Sequence, residues 1–284
     1  MANEELKDLV ARALAEDIGA GDVTSQAVVP ADARARAKLT QKEPGVLFGL
    51  AAAEEAFRQA GAESFDALVV EGGRSERVPA DVAHVSGPGR ALLAAERTAL
   101  NLLCHLSGIA TLAARYVEAV AATDAEILDT RKTTPGMRDL EKAAVAAGGA
   151  RNHRAGLHDA ILIKENHIAL AGGLGAAVRS ARDAEPERSI EIECASLEQV
   201  AEALDVGAER LLLDNLDPGT LRRAVAMRDE AVGAHGPAAT LEASGGVTLA
   251  NVAEIAASGV DFVSVGAITH SAPALDVSMT VEPG

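Results

Sequence analysis

Large aromatic rings are nearly missing from this sequence: its 284 residues include four Phe, one Tyr and no Trp. A core built on stacked aromatics is therefore excluded. Apolar residues still make up 48%, many of them alanine, and small side chains favour close packing of helix on sheet with less apolar area buried per residue. Cysteine is also scarce, with only Cys104 and Cys194. Both lie in apolar patterns, so buried thiols are expected rather than a disulfide, and a reducing cytoplasm fits. Charges interrupt every apolar run, and no run reaches the length of a membrane span. The opening MANEELKDLV reads as a charged amphipathic helix without the apolar stretch of a secretion signal. Basic residues are outnumbered, 26 against 42 acidic, giving a formal charge of −16. Such a surface keeps the chain soluble and repels nucleic acid and anionic lipid at long range, so neither is expected as a partner.

What is present begins with a helical pattern over residues 4–16, with Leu6, Val10 and Leu14 on one face. EDIGAGDVTS follows, where Asp22 and Thr24 can bond locally in a turn. From Arg34 to Val85 the pattern changes to short strands, RARAKLTQ, VLFGL, ALVVEGG and DVAHV, with a helix over 51–60 between them. This predicts a small α/β domain containing an antiparallel sheet. Beyond Gly87-Pro88-Gly89 a long helical stretch runs from Ala91 to Val120, with an interruption expected near Gly108.

After residue 125 the rhythm becomes regular. Six apolar strand candidates, AEILDT, AILIKEN, SIEIEC, RLLLDN, ATLEAS and DFVSVG, end near Asp129, Lys164, Glu193, Asp214, Glu242 and Gly266. The intervals of 35, 29, 21, 28 and 24 residues each hold one strand, one helix and two loops. Helix signals recur between them: Ser196 with Gln199 as a capping box, Asp217 before Pro218, Thr248 as a cap and Gly259 as a stop. Parallel βα units follow, as a partial or complete barrel first and a doubly wound sheet second. Six units fall short of eight; a strand within residues 107–125, or one after His270, would change the count.

In either fold the C-terminal strand edges send their loops to one face. From Arg131 through Lys164 there are seven Lys/Arg residues against three acidic ones, a local balance of +4 in a chain of −16. Arg131, Lys132, Arg154 and Lys164 are candidates to bind carboxylate or phosphate. Glu193 and Asp214 could hold Mg²⁺, accept bonds from ribose hydroxyls, or pair with the basic cluster. Ser244-Gly245-Gly246 and Gly266 follow the last two clear strands, a common phosphate position in barrels, and His270 could cover such a phosphate. His153, beside Arg154, could bond a substrate carboxylate, whereas His167 carries no assignment. Three readings stand on these residues alone: an α/β enzyme with a basic pocket for an anionic substrate, a Schiff-base aldolase using Lys164, and an anion-binding protein without catalysis.

The blocks AERTALNLLCHLSGIAT, DTRKTTPG, GGARNHRAGLHDAILIKENH, LLLDN, EASGG and VGAITHS, in this order, resemble the quinolinate phosphoribosyltransferase family over nearly the whole chain. The resemblance implies an N-terminal α/β sandwich over residues 1–110, an open, incomplete parallel α/β barrel over 111–270, and a tail, 271–284, returning to the first domain. It implies a reaction in which quinolinate and phosphoribosyl pyrophosphate give nicotinate mononucleotide, pyrophosphate and CO₂, with Mg²⁺ and no organic cofactor. It also implies a homodimer in which Arg97 crosses to the partner's quinolinate site, lined there by Arg131, His153, Arg154 and Lys164. Lys132 is placed by phosphoribosyl pyrophosphate, Glu193 and Asp214 by ribose and metal, and Ser244, Gly245, Gly246, Gly266 and His270 around the 5′-phosphate. A relative with altered base specificity remains open at this point.

Overall fold

The computed structural model describes residues 3–231 and 239–284. In chain order its elements are α1 (Asn3–Ile18), α2 (Val23–Val28), β1 (Arg34–Gln41), β2 (Gly45–Val46), α3 (Leu50–Ala60), β3 (Ser64–Ala67), β4 (Arg74–Ser75), β5 (Ala80–Pro88) and α4 (Gly89–Val120). There follow β6 (Glu126–Leu128), α5 (Arg138–Ala147), β7 (Ile161–Ile163), α6 (Glu165–Ala171), α7 (Leu174–Ala184), β8 (Ile190–Cys194), α8 (Leu197–Asp205), β9 (Arg210–Asp214) and α9 (Pro218–Ala231). The last elements are β10 (Thr240–Ser244), α10 (Val252–Ala256), β11 (Phe262–Ser264), α11 (Ala267–His270) and β12 (Val277–Pro283). They form two compact units: Met1–Ala114 with Thr134–Gly149 and Ala272–Gly284, and Arg115–Thr133 with Ala150–Ser271.

The first unit carries an antiparallel sheet in the order β12-β1-β5-β3 and a small β2-β4 pair. β1 alternates as its sequence demands, with Ala35, Ala37 and Leu39 buried and Arg34 and Arg36 exposed. α3 buries Ala52, Ala53, Ala56 and Phe57, and the Phe57 ring lies 6.1 Å from that of Phe65. Two strand expectations fail here. Only the start of VLFGL pairs, because Gly49 adopts φ 111° and turns the chain into α3. ALVVEGG forms no strand; β3 ends at Ala67, and Val70 is 80% exposed in the turn closed by Gly72 and Gly73. Asp22 caps α2, its Oδ1 accepting from Ser25 N at 3.0 Å, so EDIGAGDVTS is a structural turn.

α4 is continuous through Gly108, contrary to the expected break. The glycine serves packing instead: a Cβ there would lie 2.1 Å from the Pro273 carbonyl oxygen. No strand occurs within residues 107–125, which α4 largely fills. The strand after His270 is β12, which pairs with β1 from Ala35↔Pro283 to Gln41↔Val277 rather than extending the parallel sheet.

The second unit is a six-stranded parallel sheet in the order β6-β11-β10-β9-β8-β7. From β7 to β11 each strand adds beside the last in one direction. A doubly wound sheet reverses at a switch point; this one does not, and it is an incomplete α/β barrel. β6 adds beyond β11 instead of beside β7, so a seam lies open between β6 and β7. An isolated bridge between Leu128 and Arg151 covers the free edge of β6 there, with Arg151 N donating to Ile127 O at 2.8 Å and Asp129 N to Arg151 O at 3.1 Å.

Barrel strands alternate between the helices and the interior. On β8, Ile190, Ile192 and Cys194 are buried on one face while Glu191 and Glu193 occupy the other. On β9 the interior set is Arg210, Leu212 and Asp214, and on β10 it is Thr240, Glu242 and Ser244. An interior this polar departs from the branched apolar layers of a filled barrel. Cys104 and Cys194 are both free thiols; burial pushes Cys194 up to about 12, with Glu193 adding to it. Among the described residues no helix is long and apolar enough to cross a membrane.

Candidate active site

At the C-terminal ends of the barrel strands lies a cavity of about 220 Å³. Its walls are Thr130, Arg131 and Lys132 after β6, His153 and Arg154 at the seam, and Leu162 and Lys164 from β7. Glu193, Leu212 with Asp214, Glu242 with Ser244, and Ser264 complete it from β8 through β11. Eight residues singled out from the sequence thus meet in one place: Arg131, Lys132, His153, Arg154, Lys164, Glu193, Asp214 and Ser244.

The cationic side is held by backbone geometry. Arg154 Nη1 donates to Ala160 O at 3.1 Å, and burial, with Arg131 beside it, draws the Arg154 guanidinium below its ordinary value. Two like charges brought together with partial loss of water form a place prepared for an anion. The loop between them and β7 is braced by Asp159, which accepts from Ala155 N and from Gly156 N at 3.0 Å. Burial would raise the Asp159 carboxyl, but these backbone donors outweigh it and hold the group below its usual range. Lys164 is ion-paired with Glu193 across the β7–β8 ends. Its backbone N–H donates to His167 Nδ1 at 2.9 Å, so His167 fixes the start of α6 and is exposed away from this role.

Glu193 and Asp214 are half-buried at adjacent strand ends. Asp214 Oδ2 accepts from Asn215 Nδ2 at 2.8 Å, and Asn215, held at φ 55°, donates its N–H to Ser244 O at 2.8 Å. The LLLDN block is thus a corner that fixes one end of the site. Carboxylate oxygens are hard donors of the kind that could hold a divalent cation.

Beneath the cavity lies a layer that sequence reading passed over. Glu242 is not at a strand end: it is the middle residue of β10 and fully buried. Arg210 Nε donates to Glu191 Oε1 at 3.0 Å and its Nη2 is paired with Glu242, while Ser264 Oγ donates to the other oxygen of Glu242. Arg154 N donates to His153 Nδ1 at 2.7 Å, which places the imidazole proton on Nε2, 3.1 Å from Glu191 Oε2 and 3.5 Å from Glu242 Oε1. His153, Glu191 and Glu242 bring ligand atoms within 4.8 Å of one another, a set that could hold a divalent ion. Arg210 already supplies positive charge to both glutamates. Burial and the neighbouring Glu191 raise the Glu242 carboxyl; burial would also raise Glu191, but the His153 bond and Arg210 hold it below the usual value. The signal for this layer was the I-E-I-E-C alternation of β8, which marks an acidic inward face.

The glycine ends behave differently from each other. Gly245 and Gly246 adopt φ 94° and 61°, and a Cβ on Gly245 would lie 2.2 Å from Asn215 Oδ1. The next helix, α10, begins only at Val252. Gly266 directly precedes α11, and a Cβ there would lie 3.1 Å from Lys132 Cδ and 3.2 Å from His270. Thr269 Oγ1 donates to Lys132 O at 2.7 Å, so the loop after β11 clasps the loop after β6. Sequence reading did not single out Thr269, Asn215 or Arg210. Arg97 is exposed on α4, in the first unit.

Comparison with known proteins bears on both units. Residues 22–107 match the model of the quinolinate phosphoribosyl transferase N-terminal domain, and residues 109–280 that of its C-terminal domain. A carboxylating nicotinate-nucleotide pyrophosphorylase of Mycobacterium leprae is 43% identical over 279 residues, 96% of each chain. A probable enzyme of the same name from Bacillus subtilis is 39% identical over 282 residues, 99% of this chain and 95% of the other. The solved structure of the nicotinate-nucleotide pyrophosphorylase from Francisella tularensis aligns over 99% of this chain and 98% of its own, with a TM-score of 0.92 and 36% identity. NadC from Streptococcus pyogenes aligns over 100% and 99%, with a TM-score of 0.91 and 35% identity.

Proposed function

This chain belongs to the quinolinate phosphoribosyl transferase family, and from that premise we propose that it is a carboxylating nicotinate-nucleotide pyrophosphorylase acting in the cytoplasm. It joins quinolinate to phosphoribosyl pyrophosphate and yields nicotinate mononucleotide, pyrophosphate and CO₂. The observation that carries the reading is the pairing of Arg131 with Arg154 in a cavity also lined by Lys132 and Lys164. A small ring with two carboxylates complements two neighbouring guanidinium groups.

The chain's groups divide the work. Arg131, Arg154, His153 and Lys164 bind the ring acid and orient its nitrogen toward C1 of the sugar. That nitrogen attacks C1 as the bond to pyrophosphate breaks; the resulting pyridinium then stabilises the electron pair left on the adjacent ring carbon as its carboxylate departs as CO₂, and that carbon takes a proton from water. Glu193 and Asp214 orient the ribose and would hold Mg²⁺, which when bound shields the charge of the departing pyrophosphate. Lys132 adds a positive charge there, and Ser244, Gly245, Gly246, Gly266 and His270 surround the 5′-phosphate. The enzyme acts as a homodimer, with Arg97 of one protomer completing the quinolinate site of its partner.

One assay tests this reading: purified protein with quinolinate, phosphoribosyl pyrophosphate and Mg²⁺, followed by mass balance. Nicotinate mononucleotide, pyrophosphate and CO₂ are expected in equal amounts. Turnover of nicotinate in place of quinolinate, without CO₂, would assign a different base.

A further inference from the structure

We propose that Arg210 is a specificity-determining residue that cancels the negative charge of Glu191 and Glu242 beneath the cavity, so that a doubly negative ring acid can bind above them. This rests on the reading of the reaction given above.

The two glutamates present a problem for an anion site. Glu242 is itself part of the cavity wall, and Glu191 lies within hydrogen-bonding reach of His153, another wall residue. Left alone, both would repel a dianion at short range, with little water between to screen them. His153 approaches the pair from the segment before β7, Arg210 from β9, and Ser264 from β11, while the Arg154 guanidinium lies within electrostatic range of Glu191 without bonding it among the described contacts. Arg210 bonds both carboxylates and so serves them with one guanidinium, whose carbon lies 4.6 Å over the Phe262 ring. On the interior face of β9, Leu212 stands between Arg210 and Asp214, so Arg210 acts from below through Glu191 and Glu242 and does not reach the bound acid. A buried ion triad is a weak source of stability compared with well-packed apolar residues. Its consequence falls on the field in the cavity.

The test is steady-state kinetics of the full protein with separate titrations of quinolinate and phosphoribosyl pyrophosphate. Arg210→Met should raise KM for quinolinate about tenfold or more, while KM for phosphoribosyl pyrophosphate and kcat change by less than about threefold. The double variant Glu191→Gln with Arg210→Met removes one negative charge with the positive one and should recover most of the quinolinate KM. A merely structural Arg210 predicts no such recovery. If Arg210→Met does not fold, Glu191→Gln alone decides: it leaves Arg210 with one glutamate and should lower KM for quinolinate. Unchanged quinolinate KM in folded Arg210→Met, a double variant as impaired as the single one, or a raised KM in Glu191→Gln each overturns the proposal. Absence of quinolinate turnover by the wild-type protein would instead overturn the reading of the reaction.

Discussion

The Asp129 carboxylate, fully buried just beyond β6, accepts the backbone N–H of His153 at 2.7 Å. This bond crosses the open seam of the barrel. It fixes His153, whose Nδ1 in turn receives the N–H of Arg154, so a single carboxylate sets the path of the two residues that bring substrate-binding groups to the cavity.

Removing that carboxylate should be costly. Asp129→Ala leaves a part-buried N–H without this acceptor, a loss of about 1 kcal/mol. A lowered thermal midpoint is expected, together with a raised KM for quinolinate as His153 and Arg154 lose their register. Asp129→Asn keeps an acceptor oxygen and should lie between wild type and Asp129→Ala in both measurements. Equal stability of the alanine variant by thermal melting would show that the seam is held elsewhere.

The open barrel and the seam also mark how far the sequence could be read. All six interior strands were legible, because RLLLDN, SIEIEC and their counterparts are short apolar runs between helix caps, and a strand buried against helices must look like that. Ring order was not legible. Only pairing shows that β6 joins β11 and leaves β7 free. Exposed apolar residues misled at Val70, where a turn and not a strand carries the hydrophobic side chain. The cavity was legible because lysine and arginine crowd one segment of an acidic chain. The layer beneath it was missed because Arg210 and Glu242 look like ordinary strand-flanking charges until the inward face of each strand is known.

Lys164 is the residue on which a Schiff-base reading would rest. Such a lysine needs its amine freed by an apolar or cationic setting. Here the amine is paired with the Glu193 carboxylate. Borohydride reduction in the presence of candidate aldehydes and ketones should leave no adduct on the Lys164 peptide by mass spectrometry. Lys164→Ala should raise KM for quinolinate about tenfold or more through loss of a charged contact.

The loop bearing Arg154 should keep its order well into acid. Asp159 has its carboxyl held below the ordinary value of about 3.9. A depressed folded value stabilises the loop above the unfolded value, and this contribution is lost as pH falls through the folded one. Hydrogen exchange should therefore show the Ala155 and Gly156 amides protected at pH 5 and released only below about pH 4. In Asp159→Ala the same amides should exchange rapidly at every pH, and protection unaffected by the substitution would remove Asp159 from this role.

Gly108 sets two opposing effects against each other in the middle of α4. Replacing a helical glycine with alanine ordinarily gains about 1 kcal/mol, because glycine gives up more backbone freedom on folding. Here the added Cβ would meet the Pro273 carbonyl oxygen at 2.1 Å and its carbon at 3.0 Å. Backbone atoms cannot swing aside as a side chain can. The segment at residue 273 is tied to the same helix by Leu275 N, which donates to Cys104 O at 2.9 Å, and Leu275 itself is buried. Overpacking of this kind costs about 1–3 kcal/mol, enough to outweigh the propensity gain, so Gly108→Ala should lower the thermal midpoint. Gly136→Ala has no atom within 4 Å of its Cβ but a φ of 80°, so any loss there comes from backbone strain alone. Comparing the two separates close packing from backbone conformation, and a Gly108→Ala variant more stable than wild type would show that the Pro273 segment yields freely.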